Sequence, residues 1–182
     1  MNRCNKVTFR DENGHYICGG GLLFYDDYGI WVIKEARLKE GLCFIEPGGT
    51  FEVADSHIKN TIVREFLEET YYAFKFSISD LKDLFDKNKV HAEYSIYDNR
   101  GHPNWIVYMI HTDDCPTIEL NSDKFDKYRK YAIETTKHND HERYYYNSIS
   151  LVYLTFKDID TKKDIYYNYR LEQILKKIPR KY

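Results

Sequence analysis

The sequence lacks the features that define several protein classes. Its 182 residues include only four cysteines (Cys4, Cys18, Cys43 and Cys115) and no C-x2-C pair. We therefore expect reduced thiols rather than a disulfide framework or a zinc site built on paired cysteines. No run approaches 18 consecutive apolar residues, and the first fourteen residues contain no apolar stretch. These absences predict neither a membrane-spanning helix nor a secretory signal, and they favour the cytoplasm.

The chain also lacks a large excess of positive or negative charge. Lys and Arg total 27 against 29 Asp and Glu, a net charge of −2, so the whole chain has no general attraction for nucleic acid. Apolar residues make up 42% and charged residues 31%, which is typical of a globular protein. No repeat, low-complexity tract or linker interrupts the chain. We expect one domain over residues 1–182.

The hydrophobic pattern alternates between the period of a strand and the period of a helix. Strand patterns are separated by Gly, Asp or Pro turns and cover residues 17–25, 30–37, 42–45, 90–97, 105–111 and 149–156. Helical spacing predicts helices over residues 57–70 and 165–178, with a weaker signal over 122–143. Asp55 or Ser56 is the expected cap of the first helix. The pattern predicts an α+β fold with a mixed sheet.

The first predicted helix carries an unusual group of charges. Glu65, Glu68 and Glu69 fall within an arc of about 100°. Like charges at this spacing repel one another, and a hard divalent cation such as Mg²⁺, which prefers carboxylate oxygens, would relieve that repulsion. Arg64 could hold a carboxylate through forked hydrogen bonds. The alternative is an ordinary solvated helix face, but this pattern is rare by chance.

The loop ahead of the helix supplies the second half of the predicted site. Gly48 and Gly49 follow Pro47 and end a short apolar run. Two glycines allow the backbone to approach another group closely, so a carbonyl there could face the same cation. Asp55 adds a fourth carboxylate near the start of the helix. A strand, a Gly-Gly loop and an acidic helix are therefore expected to converge.

These residues together resemble the Nudix box, G-x5-E-x7-R-E-(apolar)-x-E-E-x-G-(apolar). The positions that match in order are Gly49, Arg64, Glu65, Phe66, Glu68, Glu69 and Tyr72. Asp55 stands in place of Glu, eight residues rather than seven separate it from Arg64, and Tyr71 stands in place of Gly. Because tyrosine disfavours positive φ, we expect the helix to end differently from the family pattern or to continue.

The resemblance implies a Nudix-like α/β/α sandwich with a central mixed sheet and a C-terminal helix. It further implies hydrolysis of a pyrophosphate bond, in a nucleoside diphosphate linked to another group, with Mg²⁺ or Mn²⁺. The implied metal ligands are Gly49, Asp55, Glu65, Glu68 and Glu69. Arg64 would orient Glu65, and either Glu65 or a distal acid, with Glu142 as the first candidate, would accept the proton of the attacking water. Arg37 is the candidate phosphate contact, and Trp105 is a candidate for stacking on a base.

Three other functional interpretations stay open. A small nucleotide is the favoured substrate, but residues 122–143 interleave basic and aromatic side chains that could follow an RNA strand, which makes RNA decapping the first alternative. A non-catalytic module that senses a nucleotide is the second. An unrelated domain with an acidic helix is the third.

Overall fold

The computed structural model describes residues 8–11, 13–37, 41–97, 101–135, 147–162, 164–178 and 180. Its strands are β1 (Phe9–Arg10), β2 (Tyr16–Ile17), β3 (Gly19–Tyr25), β4 (Gly29–Arg37), β5 (Gly41–Ile45), β6 (Gly48–Thr50), β7 (Val90–Tyr97), β8 (Pro103–His111) and β9 (Ser148–Thr155). Its α-helices are α1 (Ile58–Glu69), α2 (Ile78–Asp86), α3 (Ser122–Thr135), α4 (Phe156–Thr161) and α5 (Tyr169–Leu175).

Seven of these strands form one mixed sheet. Its main path runs β5-β4-β3-β8-β7, and β9 pairs with β4. The β3–β8 pair is parallel, whereas the other pairs of this sheet are antiparallel. The end of β3, at Phe24 and Tyr25, pairs with β4 next to the hairpin turn. The start of β3, at residues 19–21, pairs with β6 instead. The Gly-Gly loop thereby enters the middle of the sheet, beside α1.

Two apolar cores lie on opposite faces of the sheet. Residues of α1, α2 and α3 pack with strand residues such as Leu22 and Phe24 in one core. Residues of α4 and α5 pack with Leu23 and Val32 in the other. Because successive strand residues point to opposite faces, adjacent Leu22 and Leu23 serve different cores. The predicted α+β class and the α/β/α arrangement are confirmed.

A glycine in β3 sets how closely α1 approaches the sheet. A Cβ at Gly20 would lie 2.8 Å from Ile62 Cδ1 and 2.7 Å from the Ile106 carbonyl oxygen. Those distances are too short for real Cβ contacts, so a side chain here would push α1 away from the sheet. Ile62 is fully buried by this approach. The spacing between α1 and β3 also fixes the depth at which the glutamates of α1 lie.

The C-terminal end of α1 corrects one expectation from the sequence. The helix stops at Glu69, and both Tyr71 (φ 53°) and Tyr72 (φ 56°) adopt the left-handed conformation that disfavours tyrosine. Packing compensates for this cost at Tyr71, whose ring is buried against Phe125 and whose hydroxyl donates to the Ser148 carbonyl oxygen at 2.8 Å. Tertiary contacts therefore hold a conformation that local preference opposes.

Other differences from the predicted elements are smaller. The C-terminal helix is shorter than predicted because Asn168 caps it, its side chain accepting from the Leu171 N–H at 2.8 Å. Helices α2 and α4 and the short strands β1 and β6 were not predicted, and the strand predicted over 17–25 is divided into β2 and β3. Within the residues that the structure describes, no helix has the length and apolar character needed to cross a bilayer.

Candidate metal and pyrophosphate site

Helix α1 has a buried face and a charged face. Its fully or nearly fully buried residues include Ile58, Ile62 and Phe66, which recur at four-residue spacing. Arg64 and the three glutamates lie away from this core and are only partly exposed. The helical period predicted from the sequence therefore separates packing from charge.

The residues before α1 form a turn that was not predicted from the sequence. A 3-10 turn at Val53–Asp55 leads to Ser56, which is left-handed at φ 53°. His57 is the cap of α1, and its Nδ1 accepts from the Lys59 N–H at 3.2 Å. The cap is thus neither Asp55 nor Ser56, because Asp55 lies inside the turn.

Asp55 holds Arg64 through two parallel hydrogen bonds. Arg64 Nε donates to Asp55 Oδ1 and Arg64 Nη2 donates to Asp55 Oδ2, both at 2.9 Å. The second oxygen also accepts from Thr61 Oγ1 and from the Glu52 N–H, each at 2.9 Å. Burial alone would raise the pKa of Asp55, but these hydrogen bonds hold it below its ordinary value. Asp55 therefore fixes Arg64 in place, and its role as a metal ligand, which the box pattern implies, stays a prediction.

The remaining nitrogen of Arg64 faces the glutamates. Nη1 lies 2.9 Å from Glu65 Oε1 and 3.0 Å from Glu68 Oε2, and Nη2 also donates to the Thr50 carbonyl oxygen at 3.1 Å. The forked contact expected with Glu65 is made with Asp55 instead. Each side of the guanidinium is thus occupied by a protein acceptor, and the group is fixed in one orientation.

The Gly-Gly loop lies directly against two of the glutamates. The Glu65 carboxylate occupies the space that a Cβ on Gly49 would need. Glu69 Oε2 accepts a hydrogen bond from the Gly48 N–H at 2.7 Å. Any residue other than glycine at position 49 would displace the Glu65 carboxylate. The predicted convergence of loop and helix is therefore observed for these four residues.

Three carboxyl groups of α1 hold their protons more tightly than ordinary glutamates. Burial raises the pKa of Glu65 to about 7, with Arg64 opposing and Glu68 reinforcing the change. Burial also raises the pKa of Glu68, again against the effect of Arg64. For Glu69 burial raises the pKa well above its usual range, and Glu65 and Glu35 add to the effect. The site lacks enough positive charge to stabilise all three anions.

A divalent cation fits this donor set chemically. Carboxylate oxygens are the ligands that Mg²⁺ and Mn²⁺ prefer, and a cation would offset the excess negative charge. In the described part of the chain, however, no three acidic, histidine or cysteine side chains already converge in a metal-binding geometry. The Glu68 carboxylate is turned toward Arg64, and that of Glu69 toward Gly48.

Trp105, another predicted site residue, lies apart from this cluster. Trp105 is only 3% exposed, and the Arg170 guanidinium covers its ring at 3.9 Å. It belongs to the second core and has no free face for a base, which corrects the predicted stacking role. Arg37 ends β4, where its backbone pairs with Gly41. Glu142 lies outside the described residues.

Sequence reasoning missed an ion pair beside the Gly-Gly loop. Arg170 Nε lies 2.7 Å from Oε1 of Glu46, whose side chain is fully buried. Two patterns could have indicated it. Glu46 directly continues an apolar strand, and Arg170 precedes buried Ile174 by one helical turn.

A small cavity opens at the N-terminal end of α1. Its volume is about 130 Å³, and its lining includes Asp11, His57, Phe85, Tyr94 and Tyr108. The Tyr94 hydroxyl donates to Asp11 and accepts from Asn13 Nδ2 at 2.9 Å. Aromatic walls and a few convergent polar groups are typical of a site for a small organic group.

Comparison with known proteins places the fold. No family model matches the chain, and no curated protein matches it significantly. Two structures of a bifunctional NMN adenylyltransferase/ADP-ribose pyrophosphatase from Francisella tularensis match 94% of this chain at 15% and 16% identity, each with a TM-score of 0.51. One of them contains AMP and a Mn ion. A Nudix hydrolase from Nitrosomonas europaea matches 86% of this chain and 84% of its own at 12% identity, with a TM-score of 0.47.

The chain has a Nudix-like fold. It spans 43% and 42% of the length of the two Francisella chains that it matches. At these identities the likeness concerns the fold, and the chemistry has to be argued from the residues of this chain.

We predict that Asp55→Asn lowers activity against a pyrophosphate substrate by about 10- to 100-fold. Arg64 would lose its charged hydrogen-bond acceptor and would no longer hold Glu65 and Glu68 in place. Asp80→Asn is the matched control. Asp80 forms the same capping box with Ser77 at the start of α2, but it has no arginine partner among the described contacts. Equal activity of the two variants would show that Asp55 acts only as a cap.

The raised pKa of Glu65 predicts how stability of the metal-free protein depends on pH. A carboxyl group whose folded-state pKa is about 7, against an ordinary value of 4.5, binds more protons folded than unfolded between these values. Stability should therefore fall as pH rises from 5.5 to 8, with Tm dropping by several degrees. Thermal unfolding in EDTA measures this. Glu65→Gln should reduce the slope of this profile, to which Glu68 and Glu69 also contribute, and Glu134→Gln, which changes an exposed glutamate of α3, should not. A profile that Glu65→Gln leaves unaltered would contradict the assignment.

Proposed function

We propose that this chain hydrolyses a pyrophosphate bond in a nucleotide, a nucleoside diphosphate linked to another group, with Mg²⁺ or Mn²⁺. The observation that carries the proposal is the contact of Glu65 with Gly49, made beside an arginine that Asp55 fixes in place. This arrangement presents carboxylate oxygens with raised proton affinity at a loop whose backbone can approach a ligand. The Nudix-like fold supports the same reaction class.

The acidic residues would hold the cation. Glu65, Glu68 and Glu69 are the proposed side-chain ligands, and the carbonyl oxygen of Gly49 is the proposed backbone ligand. When bound, the cation would neutralise phosphate charge and lower the pKa of a bound water. Arg64 orients Glu65 and Glu68. A Glu65 carboxylate oxygen, or a distal acid such as Glu142, would accept the proton of the attacking water.

The nucleoside end of the substrate is assigned to the cavity at the start of α1. Its lining residue His57 precedes Glu65 by eight residues, which is about 12 Å along a helix axis. That separation is comparable to the distance from a base to its distal phosphate. Phe85 and Tyr108 contact each other edge to face at 4.9 Å in its lining, which gives the cavity an aromatic surface for a base.

The contacts of α3 favour a small nucleotide over RNA. Lys124 lies over the Phe74 ring at 5.6 Å, and Arg129 donates to the Ser148 carbonyl oxygen at 2.8 Å. Lys130 is 3.9 Å from Glu134. These basic groups are used within the protein, so α3 offers less free positive charge than its sequence suggested.

A substrate panel tests the proposal. Phosphate or nucleotide release should be measured from ADP-ribose, a dinucleoside polyphosphate, a nucleoside triphosphate and capped RNA, each with Mg²⁺, Mn²⁺ or EDTA. We expect turnover of at least one free nucleotide, abolished by EDTA and reduced more than about 100-fold in Glu65→Gln, because removing one carboxylate weakens the cation site. Glu134→Gln is the matched control on an exposed helix face.

Three outcomes would contradict parts of this proposal. Cap release from long RNA that falls steeply with salt, without turnover of any free nucleotide, would replace the small substrate by RNA. Nucleotide binding without hydrolysis under any condition would make the chain a sensor. Full activity of Glu65→Gln would remove the catalytic site from α1.

A further inference from the structure

The proposed substrate brings negative charge that Arg64 cannot bind. Asp55, Glu65, Glu68 and the Thr50 carbonyl oxygen already occupy its nitrogens, at 2.9 to 3.1 Å. If Arg64 turned toward a phosphate, it would lose its hydrogen bonds to Asp55 and its contacts with Glu65 and Glu68. A second protein cation is therefore needed if side chains as well as a metal ion contact the pyrophosphate.

Arg170, at the start of α5, is such a cation, and it is held in a fixed position. Its guanidinium carbon lies 3.9 Å above the ring of Trp105, and its Nε lies 2.7 Å from Glu46 Oε1. The side chain keeps 16% of its surface exposed. Among the described residues, no hydrogen-bond acceptor contacts the two terminal nitrogens of Arg170. The terminal nitrogens of Arg64, in contrast, all have acceptors. A stacked and paired guanidinium with open donors is suited to binding a phosphate.

The Gly-Gly loop links Arg170 to the glutamates of α1. Its partner Glu46 precedes Gly48 by two residues, and the Gly48 N–H donates to Glu69 Oε2 at 2.7 Å. Two Cα steps span at most about 7.6 Å. Arg170 thus lies on the side of the Gly-Gly loop that adjoins the second core, whereas Arg64 lies on the side of α1.

The polar atoms around Arg170 are incompletely paired. Glu46 is fully buried, yet Oε2 has no hydrogen-bond partner among the described residues, and Oε1 meets Arg170 Nε without hydrogen-bond alignment. Buried Trp105 Nε1 also lacks an acceptor there. Buried polar atoms without partners are rare, and they are found where strain, water or a ligand has a role. A salt bridge that only tied α5 to the sheet would be expected to satisfy these atoms.

We propose that Arg170 is a substrate-binding residue whose terminal nitrogens contact a phosphate of the pyrophosphate group, and that Glu46 and Trp105 are its positioning residues. This inference rests on the proposed function. It assigns the two arginines of the site different tasks. Arg64 orders the acidic residues, and Arg170 binds the substrate anion.

Binding of a non-hydrolysable analogue tests this assignment. Isothermal titration calorimetry should measure the affinity for a nucleoside diphosphate analogue with a methylene bridge between its phosphorus atoms, with Mn²⁺ and separately in EDTA. Because Arg170→Gln alone would leave Glu46 buried without its counter-charge, the main variant is the double change Glu46→Gln with Arg170→Gln. Arg170→Lys keeps the charge and removes the fork. Arg180→Gln is the matched control, because Arg180 also lies over an aromatic ring, at 5.1 Å from Phe156, and pairs with Asp160.

We expect the double variant to unfold at a Tm close to that of the wild type and to bind Mn²⁺ equally well. Its affinity for the analogue should fall about 10- to 100-fold in both buffers, as expected for loss of charged hydrogen bonds. Arg170→Lys should fall between the two, and Arg180→Gln should match the wild type. A folded double variant with unchanged analogue affinity would overturn the role of Arg170 and leave the proposed function intact. A wild type that neither binds the analogue nor hydrolyses any substrate of the panel would overturn both.

Discussion

The buried pairing of Arg64 with Asp55 is the interaction on which the rest of the site depends. Asp55 is 5% exposed and reaches Arg64 through two hydrogen bonds of 2.9 Å. Removing Arg64 would leave the buried Asp55 carboxylate without its counter-charge, which is destabilising. The pair therefore connects the turn before α1 to the helix, and it sets the position from which Arg64 meets Glu65 and Glu68.

Close packing of backbone against side chain is the second requirement. Gly20 lets Ile62 of α1 reach the sheet, and Gly49 leaves room for the Glu65 carboxylate. The first contact fixes the depth of α1, and the second places the Gly-Gly loop against the charged face of α1. Both contacts bury the Glu65 carboxylate. The resulting burial raises the pKa of Glu65 to about 7. A site built in this way is destabilised by its own charge, and a divalent cation would relieve that destabilisation.

Local patterns predicted the elements well, and long-range contacts explain most of the errors. The hydrophobic period located α1 to within a residue, because this helix has one strongly buried face, and the strand pattern between turns gave β7 its observed bounds. The cap of α1 and the left-handed Tyr71 could not be predicted, since a 3-10 turn decides the first and contacts with Phe125 and Ser148 decide the second. The predicted approach of the Gly-Gly loop to the acidic face of α1 is observed at Glu65 and Glu69.

Roles that depend on spatial partners were beyond the sequence. Asp55 was predicted only as a metal ligand, and its hydrogen bonds to Arg64 depend on the fold bringing the two residues together. Trp105 was expected to stack on a base, and it instead supports Arg170 from within the second core. The Glu46–Arg170 pair joins residues more than a hundred positions apart. Neither the hydrophobic period of a helix or strand nor the spacing of a motif can predict such a pair.

The position of a bound cation tests the central claim most directly. Anomalous diffraction from a crystal of this protein soaked in Mn²⁺ would locate the ion without any assumption about substrate. The account predicts a peak bounded by the carboxylates of Glu65, Glu68 and Glu69 and by the backbone of Gly49, with the Arg64–Asp55 pair intact beside it. Full occupancy of Mn²⁺ elsewhere, with no peak at α1, would contradict it.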